Sequence, residues 1–267
     1  MEIMLQGSEG NHVPITIFVI ATKSYVLYAR TLIESIDAYM TQTMRVQVIL
    51  LTDQAEDNVL SGMELSGAEL KICKIESYGW PEAALLRFDL ILRFWNQVTG
   101  DIVMYLDADT EVVAPISAKD LLGAIQPSRQ DQIVFVQHPG YFNRSTLFRL
   151  AIRTPLGPWE RRKKSNAFVP ISKRKIYVCS GVFWGTRTSF QKLCNDLKKN
   201  VQDDLNRGLI AKWHDESHVN HWFNQHSANT VTPEWAYASG YRNLKQLMPR
   251  IVVIHKPTNF ERVGSNI

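Results

Sequence analysis

Cysteine is scarce in this chain: Cys73, Cys179 and Cys194 are the only three in 267 residues. So few, and so widely separated, they exclude a disulfide-stapled scaffold and a zinc ribbon, and they fit a reducing compartment. Long apolar runs are also missing. The stretch ITIFVIA, from Ile15 to Ala21, is seven residues long, against about 20 needed to cross a bilayer. The N-terminus MEIMLQGSEGNHVP lacks both the charged start and the apolar stretch of a secretory signal. Charge of one sign is lacking too. With 30 basic and 26 acidic residues, a formal net charge of +4, and the two signs interspersed, nothing points to nucleic acid. The one exception is RRKKSNAFVPISKRK, Arg161 to Lys175, read as a solvated, mobile loop rather than a phosphate-binding or membrane-surface patch. No Pro/Gly/Ser-rich linker, internal repeat or low-complexity tract divides the chain, so residues 1–267 are expected to form one domain.

What is present alternates. Short apolar, often β-branched runs at 15–21, 46–51, 102–108, 133–137, 178–185 and 250–255 predict buried strands. Between them Tyr25 to Met40, Glu82 to Val98, Ser189 to Val201 and His214 to Gln225 space apolar residues three and four apart, as helices do. Strands alternating with helices imply an α/β fold, a mainly parallel central sheet with helices on both faces and a ligand crevice at the carboxyl ends of its strands.

One strand ends oddly. IVMYLDADTEV, residues 102–112, runs from five apolar residues straight into Asp107 and Asp109. Two carboxylates beside a buried strand need a partner. Hard oxygen donors at i and i+2 suit Mn²⁺, or Mg²⁺, shared with a diphosphate; a pair of solvated turn residues is the plain alternative. A second cluster, AKWHDESHVNHWFNQH at 211–226, places His214, His218 and His221 on one helical stripe and Glu216, Asn220 and Phe223 nearly opposite. Asp215 and Glu216 then stand at a helix start, where simple capping of the dipole also accounts for them. The stripe admits a rival reading, a zinc hydrolase ligated by His214 and His218. In the usual H-E-x-x-H arrangement, however, the general base follows the first histidine directly, whereas Glu216 points away from this stripe.

WHDESH with its nearby asparagine, the LDAD strand end, HPG at 138–140, WERRKKSNAFVP at 159–170 and the strand Tyr177 to Gly185 together resemble glycosyltransferase family 6. That family includes the histo-blood-group A and B transferases and the α-1,3-galactosyltransferase. The likeness runs from about Ile15 to Arg262 with the motifs in family order. It implies a GT-A fold, with a nucleotide-sugar-binding half at about 15–137 and an acceptor-binding and catalytic half at about 138–267. It further implies transfer of galactose or N-acetylgalactosamine from a UDP-sugar to an oligosaccharide acceptor, with retention of the α configuration. Asp107 and Asp109 match the family's metal-binding DxD. Ala21, Thr22 and Tyr25 fall where uridine is contacted, and Arg87, in GWPEAALLRF, looks like the arginine that reaches the donor. Asp215 resembles the carboxylate that binds the transferred sugar, and Glu216 the catalytic acid beneath its anomeric carbon. His138 and Trp213 fall at acceptor-contacting positions. Lys256 and Arg262 match basic residues that close over the diphosphate. Gly181 lies where donor sugars are discriminated; lacking a side chain, it leaves room for an acetamido group and tilts the expectation toward N-acetylgalactosamine, though strand packing explains a glycine there equally well.

Departures cluster on the acceptor side. Extra residues lie between HPG and WERR, Pro158 replaces an acceptor-contacting threonine, and Ala238 stands where an acid is expected after PEW. A β-galactoside, extended at its 3-hydroxyl through an α-1,3 linkage, is the family's default acceptor. Animal members carry a membrane anchor and stem that have no counterpart here, so the resemblance implies a cytoplasmic enzyme of bacterial or viral type, or a trimmed catalytic domain. Retention of both DxD acids implies metal dependence. A nucleotide-sugar-binding protein without turnover remains the alternative from another class.

Overall fold

The run VPITIFVIA forms strand β1 (Val13–Ala21), whose side chains are buried from Ile15 onward on both faces. Two-sided burial explains why the run is apolar without alternation. β2 (Met44–Thr52) lies parallel to β1 in unbroken register, from Val13 opposite Met44 to Ala21 opposite Thr52. β3 (Glu69–Lys74), β4 (Ile102–Asp107), β6 (Ile133–Gln137), β7 (Val178–Thr186) and β8 (Asn229–Val231) complete a seven-stranded sheet ordered β3-β2-β1-β4-β7-β6-β8. A separate ribbon pairs β5 (Thr110–Val112) with β9 (Ile251–Val253). This computed structural model describes residues 13–154 and 157–256. Arg262 lies outside them.

Among the described residues seven helices surround the sheet: α1 (Tyr25–Met40), α2 (Glu56–Leu60), α3 (Glu82–Arg93), α4 (Ala118–Ala124), α5 (Thr146–Arg153), α6 (Arg187–Asn206) and α7 (His214–Gln225). Odd residues of β1 and even residues of β4 join Leu32, Ile33 and Ile36 of α1 in one apolar layer. Phe18, Ile20, Val103 and Tyr105 point the other way, against α3, α6 and α7. The expected two-sided α/β sheet is therefore present. Each fully buried Leu, Ile or Phe in these layers contributes roughly 1.5–3 kcal/mol.

Within the seven-stranded sheet pairing is parallel except at β7, which runs antiparallel to both β4 and β6. That reversal matters for the site. It lays the amino-terminal end of β7 beside the carboxyl end of β4, with Leu106 opposite Val182, so Ser180 and Gly181 arrive next to Asp107. No helix among the described residues is long and apolar enough to cross a membrane.

Three expectations need correction. The helix expected to run to Val98 stops at Arg93 and tightens into a 3₁₀ turn over Trp95–Gln97, because Trp95 stacks between Phe18 and Phe190 at 6.3 and 6.2 Å. The helix expected over 189–201 spans Arg187–Asn206 instead. The basic segment 161–175 is not simply a solvated loop. Buried Glu160 accepts hydrogen bonds from the backbone N–H of Arg161, Arg162 and Lys212 and pairs with the Arg162 guanidinium. Farther along, Asp204 accepts from Ser165 Oγ and the Asn166 N–H. Buried Arg174 donates to the carbonyls of Val169 and Thr154.

Candidate active site

The strand-end acids of β4 meet the helix-start acids of α7 across one buried guanidinium. Arg87, on the buried side of α3 and 6% exposed, donates from Nη1 to the Ser180 carbonyl at 2.6 Å and from Nη2 to Asp107 Oδ1 at 3.1 Å. Its Nη1 also lies 3.3 Å from Asp215 Oδ2, an ion pair without hydrogen-bond alignment. The Tyr105 ring supports the guanidinium at 4.4 Å, and the Tyr105 hydroxyl donates to Asp107 Oδ1 at 2.9 Å. Burial works against the charge on Arg87, but Asp215, Tyr105, Asp107 and Glu216 overcome it and hold the group more firmly protonated than usual.

The sequence of α7 explains how Glu216 is aimed. His214 takes a left-handed φ of 46° at the helix start, after which Glu216, Asn220 and Asn224 recur at four-residue spacing along one face. Each holds backbone of the segment leading into β7. Asn224 Oδ1 accepts from the Lys175 N–H, Asn220 binds both the N–H and the carbonyl of Val178, and Glu216 Oε2 accepts from the Ser180 N–H. The Tyr177 hydroxyl reaches toward Glu216 as a long contact rather than a closed hydrogen bond. Burial and the charge of Asp215 push Glu216 up to about 8. Burial likewise raises Asp215, with Arg87 opposing and Asp107 assisting. Among the described residues, buried Asp215 Oδ2 has no hydrogen-bond donor.

Asp109 faces another cation. Lys256 Nζ lies 2.8 Å from Asp109 Oδ2 and donates to the Tyr25 hydroxyl at 2.9 Å. Burial and the neighbouring Asp107 raise the Asp109 carboxyl, Lys256 notwithstanding. Two crowded acids at a strand end fit a divalent cation: Mg²⁺ and Mn²⁺ take one or two carboxylates and complete their shell with substrate oxygens and water. Gly181 has a steric reason to be glycine, since a Cβ there would fall 2.5 Å from Asp107 Oδ2. The space that suggested an acetamido pocket already accommodates that carboxylate.

The other residues named from sequence make contacts of their own. Ala21 ends β1 and Thr22 follows it, the Thr22 hydroxyl donating to the Tyr78 carbonyl at 2.7 Å, and Tyr25 opens α1. His138 lies 4.8 Å from the Tyr141 ring and 5.7 Å from Tyr177, where burial pushes it down to about 4. Trp213 is half exposed, its N–H donating to Ser217 Oγ at 2.9 Å. The histidine stripe is committed to packing: His214 meets Trp80 edge-on at 4.6 Å and His218 sits buried, 3.7 Å from Asp204. Among the described residues no group of three or more His, Cys, Asp or Glu is arranged to hold a metal by itself, and the zinc-hydrolase alternative finds no support. Tyr105, Tyr177, Ser180 and Asn224 were missed from sequence. Only Asn224, four residues past Asn220, carried a readable signal.

Acids at the end of a parallel strand, opposed by acids at a helix start and drawn together by one buried arginine, define a GT-A type glycosyltransferase. The chain belongs to glycosyltransferase family 6, whose family model matches residues 2–264. It is 30% identical over 156 residues to the O-antigen biosynthesis glycosyltransferase WbnI of Escherichia coli, covering 58% of this chain and 60% of that one. Against the rat histo-blood group ABO system transferase 1 it is 23% identical over 98% of this chain and 72% of the relative. Against the human globoside α-1,3-N-acetylgalactosaminyltransferase 1 the figures are 24%, 84% and 60%.

Proposed function

We infer that the chain is a retaining hexosyltransferase that moves galactose or N-acetylgalactosamine from a UDP-sugar to the 3-hydroxyl of a β-galactoside-type acceptor, forming an α-1,3 linkage. The observation that carries this reading is the convergence of Asp107, Asp215 and Glu216 on buried Arg87, with Asp215 Oδ2 left without a donor. A buried carboxylate oxygen with no donor is costly, and a sugar hydroxyl satisfies it. The names of the rat and human relatives, a blood-group transferase and an α-1,3-N-acetylgalactosaminyltransferase, support the substrate class.

Each residue then has a task. Ala21, Thr22 and Tyr25 face the uridine. Asp107 and Asp109 would hold Mn²⁺ or Mg²⁺, which when bound supplies charge neutralisation at the departing diphosphate. Lys256 turns from Asp109 toward the same phosphates, with Arg262 as its partner in that role. Arg87 fixes Asp107 and Asp215, and Asp215 accepts from a hydroxyl of the transferred sugar. As the bond to UDP breaks and the electron pair leaves with phosphate, positive charge grows at the anomeric carbon. Glu216, ionised once cations and donor occupy the site, faces that charge, either bonding to the carbon or stabilising it as an ion. The acceptor, held between His138 and the exposed face of Trp213, then adds on the same side, its hydroxyl proton passing to the departed phosphate and any bond to Glu216 breaking as the new one forms.

The test is incubation with UDP-galactose and UDP-N-acetylgalactosamine over a panel of β-galactosides, with Mn²⁺ or EDTA, reading products by mass. Transfer that needs Mn²⁺ and vanishes in Glu216→Gln is expected. Undiminished transfer by Glu216→Gln, or no product with any acceptor, overturns the assignment; full activity in EDTA removes the metal from it.

A further inference from the structure

Outside the catalytic centre, α5 carries large apolar side chains turned to solvent. Leu147 is 80% exposed and Leu150 57%, and with exposed Ala151 they share one helical face. The helix is held from its other side, where Phe148 stacks on Tyr141 at 6.4 Å. Beside the end of α5 lies the basic segment 161–175, joined to it by the Arg174 hydrogen bond to the Thr154 carbonyl. That segment contains seven Lys or Arg and no acid. Arg162 and Arg174 are used internally, while Arg161, Lys163, Lys164, Lys173 and Lys175 are exposed, with Ile171 and Ile176 among them.

We propose that α5 and the basic segment form a docking face for an anionic membrane surface, with Leu147 and Leu150 entering the headgroup boundary and the lysines pairing with lipid phosphates. Neither feature suffices alone. Two leucines bind a bilayer weakly and a few exposed charges bind only loosely, but together they give reversible, lipid-selective association. Charge complementarity selects this partner over a second copy of the chain, which would set the basic segments of both against each other. Position adds a reason. From Glu216 an aromatic path runs through Tyr177 to Tyr141 at 5.3 Å and on to Phe148 of α5, so the docked face flanks the acceptor side. If the transferase reading above holds, the acceptor is a glycan carried on a lipid.

Flotation of the full chain with vesicles of phosphatidylcholine alone, or mixed with phosphatidylglycerol, tests this without any substrate. Capture by the anionic vesicles only, lost at high salt, is expected. Lys163→Glu with Lys164→Glu should lower partitioning roughly fivefold or more per charge removed, and Leu147→Glu with Leu150→Glu should abolish it while circular dichroism stays unchanged. Equal recovery with both vesicle types, or full binding by the leucine variant, overturns the proposal. So does a wild-type dimer that the leucine variant converts to monomer, which would show a second copy on this face. Transfer to a short soluble acceptor should be the same in the leucine variant and the wild type. A wild type that floats but transfers nothing would refute the transferase reading and leave the docking face standing.

Discussion

Replacing Glu216 with glutamine should make the metal-free protein more stable in alkali than the wild type, even as the proposed function expects it to abolish transfer. Burial and Asp215 move this carboxyl from 4.5 to about 8, so the folded state holds a proton that the unfolded chain releases near 4.5. Between those two values the native state binds more protons, and stability must fall as pH rises; below 4.5 the difference vanishes and above 8 it is complete. At about 1.36 kcal/mol per pH step the ceiling is about 5 kcal/mol. Glu216 keeps some solvent access, and water relaxes around its charge, which reduces the expectation to about 2 kcal/mol. Glutamine has no proton to lose. Urea midpoints measured in EDTA from pH 4.5 to 9 should therefore coincide in slope at the acid end and separate steadily up to pH 8. Parallel curves across the whole range would show that Glu216 is ionised at neutral pH and that its surroundings do not hold the proton.

Gly181→Ala places a methyl group against Asp107 Oδ2; a cost of about 1–3 kcal/mol should appear chiefly as weaker Mn²⁺–UDP binding by calorimetry, and unchanged affinity would refute the steric account. Arg87→Met strands Asp107 and Asp215 and should cost about 3–5 kcal/mol in chemical unfolding, with Arg87→Lys recovering only part because one ammonium cannot reproduce the fork. Asn220→Leu removes both bonds to Val178 and should cost about 1–3 kcal/mol while lowering kcat; wild-type kcat would show that Glu216 is aimed by other means. His138 and His218 are both held down to about 4 by burial, so the unfolded chain takes up their protons first and stability is lost as pH falls from 6.5 towards 4. Ring resonances of either residue titrating near 6.5 would contradict this.

The fold was legible where burial was two-sided or periodic. β1, β2, β4, β6 and β7 announced themselves as short, mainly apolar runs, and α1 and α7 by their spacing. β3 was not legible because ELKICK, at the sheet edge, carries the charges that edges use to stay unpaired, and three-residue β8 is too short to show a period. The acids of the site were visible as residues but not as partners. Asp107, Arg87, Ser180 and Asp215 are far apart in sequence, and the antiparallel insertion of β7 together with the packing of α3 and α7 brings them together. Glu160 and Asp204 show the same limit from the other side. Both order a segment that reads as solvent-exposed, because the hydrogen bonds that hold it come from chain that local composition does not represent.

The charge of the site argues for how it works. Asp107, Asp215 and Glu216 surround a single guanidinium, and Asp109 stands close by with Lys256. Even with Glu216 protonated, the centre has no positive charge to spare, and a nucleotide diphosphate would bring more negative charge into it. On the proposed reading such a donor would bind with compensating cations: a divalent ion on Asp107 and Asp109, and Lys256 shifted onto phosphate. Those same cations favour the departing diphosphate over the intact sugar-nucleotide, since its charge rises as the bond breaks. The crowding of carboxylates that weakens the empty fold is thus the source of the preference for the transition state, and stability and catalysis should move in opposite directions when Glu216 is neutralised.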